Sequence, residues 1–156
     1  MNELLARLTN TPVRDHTQVN HTLDSNPATF PLDRTFYADF THENSIIAII
    51  AAMGFYRDQN PLDPLLPDPA RRWVASELVP FSARMVTERL HCAASRYKQE
   101  GTYVRILMND ALVDLECADG AADGMCTLAS FIESQTFARS DGGGDFEKCG
   151  YKVDDE

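Results

Sequence analysis

The chain has 156 residues, and 14 Lys and Arg stand against 24 Asp and Glu for a formal charge of −10. That balance argues against a nucleic-acid partner, which needs a basic face to displace counterions from phosphates. Hydrophobic residues at 44% support one packed domain, while the longest apolar run, Ile46 to Phe55, is far short of the roughly 20 residues that cross a bilayer, so no membrane association is expected.

In chain order, Leu4, Leu5 and Leu8 share one face of Glu3 to Thr9 and Pro12 closes the run, which predicts a short helix, the tail of a longer one. The opening residues lack a basic stretch followed by an apolar block, so no secretory signal is visible. Residues 10–34 hold three prolines and no periodicity, the pattern of a long functional or mobile loop. Thr35 to Phe40 is aromatic-rich and reads as a strand. A polar turn, Thr41-His42-Glu43-Asn44, leads into Ser45 to Gly54, apolar on all sides and therefore expected to be a buried helix with Gly54 near its C-cap. Strand, turn and buried helix together indicate an α/β fold.

A second loop spans 57–72 and holds four prolines. Residues 83–92 fit neither period cleanly and are read as a strand because a hairpin pattern comes after them: Tyr103 to Met108, the two-residue turn Asn109-Asp110, and Ala111 to Leu115. Thr127 is placed to cap a last helix running through Phe131 and Phe137, which Asp141 to Asp145 breaks. The three glycines there lack the preceding strand and the following Lys-Ser/Thr of a phosphate-binding loop and read as linker within a tail at 140–156.

None of the four cysteines, Cys92, Cys117, Cys126 and Cys149, forms a CxxC pair, and no metal site is expected. Cys117 and Cys126 flank a Gly/Asp-rich loop flexible enough to join them, against the alternative of two buried free thiols. Asn20-His21-Thr22 is a glycosylation sequon in a polar stretch. His16, His21 and His91 lie in polar settings and read as solvated.

Chemistry is best placed at Thr41 to Asn44, because a helix N-terminus offers amide N–H groups and positive potential to an anion. His42 is positioned to donate to a phosphate oxygen and Glu43 to protonate a leaving alkoxide. Equally, Glu43 is a favourable charge in a first helical turn and His42 a polar residue beside it.

Several stretches carry a specific likeness: Asn2 to Thr9, His21-Thr22-Leu23-Asp24-Ser25-Asn26-Pro27-Ala28-Thr29-Phe30-Pro31-Leu32, Tyr37 to Asn44, Val79-Pro80-Phe81, Val104 to Asp110, Cys126-Thr127-Leu128 and Phe137 to Ser140. Together they resemble the C-terminal third of the fungal histidine acid phosphatases of the 3-phytase type, over nearly the whole chain. The resemblance implies an incomplete α/β sandwich of the histidine phosphatase superfamily, a single partial domain over 1–156. It also implies secretion, and hydrolysis of phosphate monoesters such as phytate without metal or other cofactor. In that family an Arg-His-Gly histidine becomes phosphorylated, while a His-Asp pair binds phosphate and protonates the leaving oxygen. His42 matches that histidine, and Glu43 stands where the family has Asp.

No Arg-His-Gly occurs in this chain. By the same resemblance Cys117 and Cys126 form a local disulfide, and Cys92 and Cys149 match cysteines whose partners lie upstream. The expectation is a C-terminal piece beginning inside the family's fold, whose partner is the missing N-terminal part. Two further readings are a non-catalytic remnant that binds anions or another chain, and a small disulfide module requiring a Cys92–Cys149 bond.

Overall fold

A computed structural model describes residues 1–17, 19–58, 60–119, 123–145 and 147–150. The chain divides into two compact units, one formed by residues 1–37 with the chain from 135 onward, the other by residues 38–134.

In the first unit, α1 (Asn2–Thr9) buries Ala6 and Leu8, as the leucine spacing predicts. It ends because Asn10 turns left-handed at φ 54°, which lets the Thr11 amide donate back to the Ala6 carbonyl at 3.1 Å. The guanidinium of Arg7 lies 4.9 Å from the ring centres of both Phe30 and Tyr37, so a cation–π sandwich ties the far end of the following segment to α1. Residues 10–34 contain neither helix nor strand among the described residues, yet turns organise them: the Ser25 amide donates to the His21 carbonyl at 3.0 Å and the Phe30 amide to that of Asn26 at 2.8 Å. A short helix, α5 (Thr136–Arg139), closes where the Gly142 amide donates to the Phe137 carbonyl at 2.9 Å, a return that uses the glycine's φ of +89°.

The second unit opens on α2 (Glu43–Ala52), with His42 as the extended N-cap residue and Gly54 in a left-handed conformation just beyond its end. Residues 35–40 form no strand. Aromatic propensity marks a segment that suits a sheet, but a strand exists only when a neighbour accepts its hydrogen bonds, and Phe36 and Phe40 stay 80% and 97% exposed. Nor is α2 enclosed: Ile50 is its one buried residue, Ile46, Ile47 and Ile49 are only half-buried, and Ala48 and Ala51 are exposed. Hydropathy set the helix's composition, whereas burial needs elements laid against every face.

After α3 (Ala75–Leu78) comes an antiparallel sheet. β1 (Met85–Cys92) pairs along its full length with β2 (Gly101–Met108), from Met85 opposite Met108 to Cys92 opposite Gly101. This pairing resolves the ambiguous period of 83–92 in favour of a strand, and it gives Glu88 and Arg105 directly facing positions and a 2.5 Å ion pair. The Asn109-Asp110 turn has φ of 50° and 68°, both left-handed, as a two-residue hairpin requires. Asn109 also donates through Nδ2 to the carbonyls of Glu77 and Leu78 at 3.1 and 2.9 Å, which satisfies the end of α3.

The return strand β3 (Ala111–Leu112) is shorter than the sequence pattern predicts. β4 (Cys126–Thr127) pairs further along the same β2 edge, with Val104 opposite Cys126 and Tyr103 opposite Thr127, so one edge serves two partners. α4 (Leu128–Ser134) comes directly after it, and the Thr127 hydroxyl caps the helix by accepting from the Ser130 amide at 3.2 Å. The helix expected to run on to Phe137 breaks at Gln135, whose ψ of 54° leaves the helical region. Val104, Ile106 and Met108 from alternate positions of β2 join Val113, Leu115, Cys126 and Phe131 in the core. Helices and sheet together place the chain in the α/β class.

Candidate active site

His42 and Glu43 sit side by side at the N-terminus of the ten-residue α2. The His42 carbonyl accepts from the Ser45 and Ile46 amides at 3.1 and 3.3 Å, so helical bonding begins at Ser45 and the amides of Glu43 and Asn44 point out of the helix end. All four residues of the Thr41 to Asn44 turn are exposed. Among the described residues, neither the imidazole of His42 nor the carboxyl of Glu43 has a hydrogen bond or an ion pair. An imidazole, a carboxyl and outward-pointing amides gathered at the positive end of a helix form a set able to meet an oxyanion. No nucleophile is among them.

Cys117 and Cys126 are joined by a disulfide with Cα atoms 6.1 Å apart, inside the same unit. The two sulfurs lie with the Asp119 carboxylate within 4.8 Å of one another, a grouping that would interest a metal ion, but the S–S bond uses both thiolates. Asp119 is instead structural. Burial pushes its carboxyl up, while hydrogen bonds from Thr127 and Ser130 outweigh that and hold it below the usual carboxylate range. Gly124 in this loop, at φ +67°, lies against the Leu112 side chain where no Cβ fits. The bridge thus ties the chain after β3 to β4 across the shared β2 edge. Closing a loop this short contributes about 2–3 kcal/mol. The Cys117→Ser/Cys126→Ser variant is therefore expected to melt roughly 5–10 °C lower by circular dichroism. An unchanged Tm would mean that β4 is held by pairing alone.

Cys92, half-buried in the second unit, and Cys149, exposed in the first, both carry free thiols. Asn20 lies in the other unit, exposed, with its Oδ1 accepting from the Thr22 amide and hydroxyl at 2.9 and 2.6 Å. Sequence reasoning missed the role of His21. Its ring lies between Asp15 and Asp24, six residues before it and three after, a spacing too common to signal anything until the turns bring the carboxylates in.

A sequence profile of the histidine phosphatase superfamily (branch 2) matches residues 1–109, well over half of the chain. The chain belongs to that superfamily. Phytase A of Emericella nidulans is 46% identical over 151 residues, which is 95% of this chain and 31% of the relative. Phytase A of Aspergillus awamori is 44% identical over the same shares, and that of Arthroderma benhamiae 46% identical over 93% of this chain and 32% of its own length. The chain thus spans about a third of the length of these relatives, corresponding to their C-terminal third. No helix among the described residues is long and apolar enough to cross a membrane.

Proposed function

We propose that this chain is the acid-donating part of a phosphomonoester hydrolase of the phytase type, acting on a substrate such as phytate. His42 donates to the phosphoryl oxygens, and Glu43 gives its proton to the leaving alkoxide. The attacking histidine comes from sequence with no counterpart in these 156 residues, and the whole chain forms one partial domain completed by that part. Cys92 and Cys149 then pair outside the chain, and secretion with a glycan on Asn20 completes the reading. The observation that carries it is the unpaired, exposed His42–Glu43 set at the mouth of α2 in a chain 46% identical to a phytase A.

The test is hydrolysis of p-nitrophenyl phosphate at about pH 3–5, with the chain co-expressed beside the N-terminal two-thirds of a phytase A relative. Turnover is expected from the pair and lost with His42→Ala. No turnover from a co-purifying, folded pair would overturn the reading. The alternative, a non-catalytic chain that binds anions or another chain, is favoured by the apolar residues of the second unit that face solvent, Phe40, Leu65, Leu66 and Phe81. It predicts protection from unfolding by phosphate with no turnover.

A further inference from the structure

His21 stands at the centre of the 10–34 segment. Its Nδ1 lies 3.0 Å from both carboxylate oxygens of Asp24, and its Nε2 lies 3.2 Å from Oδ1 of Asp15. The side chains of Asp24 and Asp15 are only 5% and 4% exposed, so water does little to stabilise their charges, whereas the ring itself is a third exposed and exchanges protons freely. The segment's remaining polar groups fix the same geometry. Asn2 of α1 donates through Nδ2 to Oδ2 of Asp15 at 2.7 Å, and the Thr17 amide and hydroxyl donate to its Oδ1 at 3.1 and 2.7 Å. Asp15 therefore links the segment to α1, and His21 links Asp15 to Asp24 within the turn that the Ser25 amide closes on the His21 carbonyl.

A neutral imidazole donates from one nitrogen and offers a lone pair from the other. With a carboxylate oxygen at each nitrogen, only the imidazolium donates to both. Loss of one proton turns a lone pair toward a nearly buried carboxylate and leaves two negative charges facing a neutral ring. We propose that the Asp15–His21–Asp24 cluster is an acid-closed latch, which pins the 10–34 segment to α1 while His21 is protonated and lets it open on deprotonation.

Among the described residues, the charged groups that face the ring are Asp15 and Asp24, both from the segment itself; α1 contributes the neutral amide of Asn2, which bonds Asp15. The hydrogen bond with Asp24 raises the His21 pKa, partial burial lowers it, and the charges of Asp24 and Asp15 raise it further, for a net rise above 6.5. Burial pushes Asp15 up, but the bonds from Asn2 and Thr17 and the charge of His21 outweigh it and hold the carboxyl at about 2, against 3.8 ordinarily. With its folded pKa raised, His21 contributes fully below 6.5, and the contribution is lost as pH rises through the folded midpoint. Asp15, depressed, contributes above 3.8 and loses hold as pH falls toward 2. The latch is closed across the acid range between these limits.

The experiment tracks the full chain by NMR from pH 4 to 9, reading the His21 ring nitrogens and the hydrogen-exchange protection factors of the Thr17 and Ser25 amides. The ring is expected to titrate above 6.5 as the doubly protonated form, and both protection factors to fall through that midpoint. Amides of β2 should show no such step. His21→Gln, which keeps the segment's neutral hydrogen bonding, is expected to give low protection without a pH step. A ring midpoint at or below 6.5, protection that holds through the midpoint, or a wild-type step persisting in the folded variant would each overturn the latch. Should the variant not fold, the wild-type titration and protection decide alone.

Discussion

Glu43→Gln is expected to lower turnover of the completed protein on an alkyl phosphate by about 10²- to 10⁴-fold, the range for losing a positioned general acid. Glutamine keeps the shape and the polar contacts of the side chain but has no proton to give at the moment the P–O bond breaks. An alkoxide leaves poorly without that proton, whereas p-nitrophenolate is stable enough to leave alone, so the loss on p-nitrophenyl phosphate should be far smaller. The ratio of the two losses is the measurement. Glu43 is exposed and unpaired, so its replacement disturbs no internal partner. A carboxylate serving only the helix dipole would show a slight drop in Tm and no leaving-group dependence. Equal losses on both substrates would remove Glu43 from proton transfer. Glu43→Asp probes the reach of the same group: if the extra methylene displaces the proton by about 1 Å, the shorter acid should raise the alkyl-phosphate rate by up to about 10²-fold.

The position of His42 and Glu43 was readable because its signal is local: a polar quartet before an apolar run places them at a helix start, and α2 begins at Glu43. Local chemistry also made the Asn109-Asp110 turn readable, since asparagine and aspartate tolerate the two left-handed conformations that the hairpin demands. What failed depended on neighbours far away in sequence. Thr35 to Phe40 has strand-like residues but pairs with no strand among the described residues. β3 stops after two residues, and Cys126 and Thr127, fourteen or more positions on, pair further along the same edge with Val104 and Tyr103. The isoleucines of α2 marked an apolar helix correctly and its enclosure wrongly, since apolarity is a property of the segment and coverage a property of what packs on it. His21 looked solvated because the carboxylates that embrace it converge only when the 10–34 turns form. The role proposed for His42 and Glu43, by contrast, rests on the chain's likeness to a phytase A, since a helix N-terminus by itself offers an anion no more than free amides.

Phe131→Ala is expected to destabilise the second unit by about 3–5 kcal/mol, the cost of deleting a fully buried aromatic ring. α4 has only seven residues, too few to persist in water on its own propensity, so it depends on packing against β2 and β4. β4 in turn pairs with β2 at just two positions, Tyr103 with Thr127 and Val104 with Cys126. Phe131 and the Cys117–Cys126 bridge therefore hold the same short strand from two sides, one by burial and one by a covalent tether. Exposed Leu65→Ala, as a control, should stay within about 0.5 kcal/mol of wild type in urea unfolding. Because the ring and the bridge share a partner, their losses should not add: in the reduced protein, removing Phe131 should free β4 and α4 together, which caps the loss below the sum of the two single changes. Strict additivity in the double-mutant cycle would show that β4 stays on the β2 edge without either support.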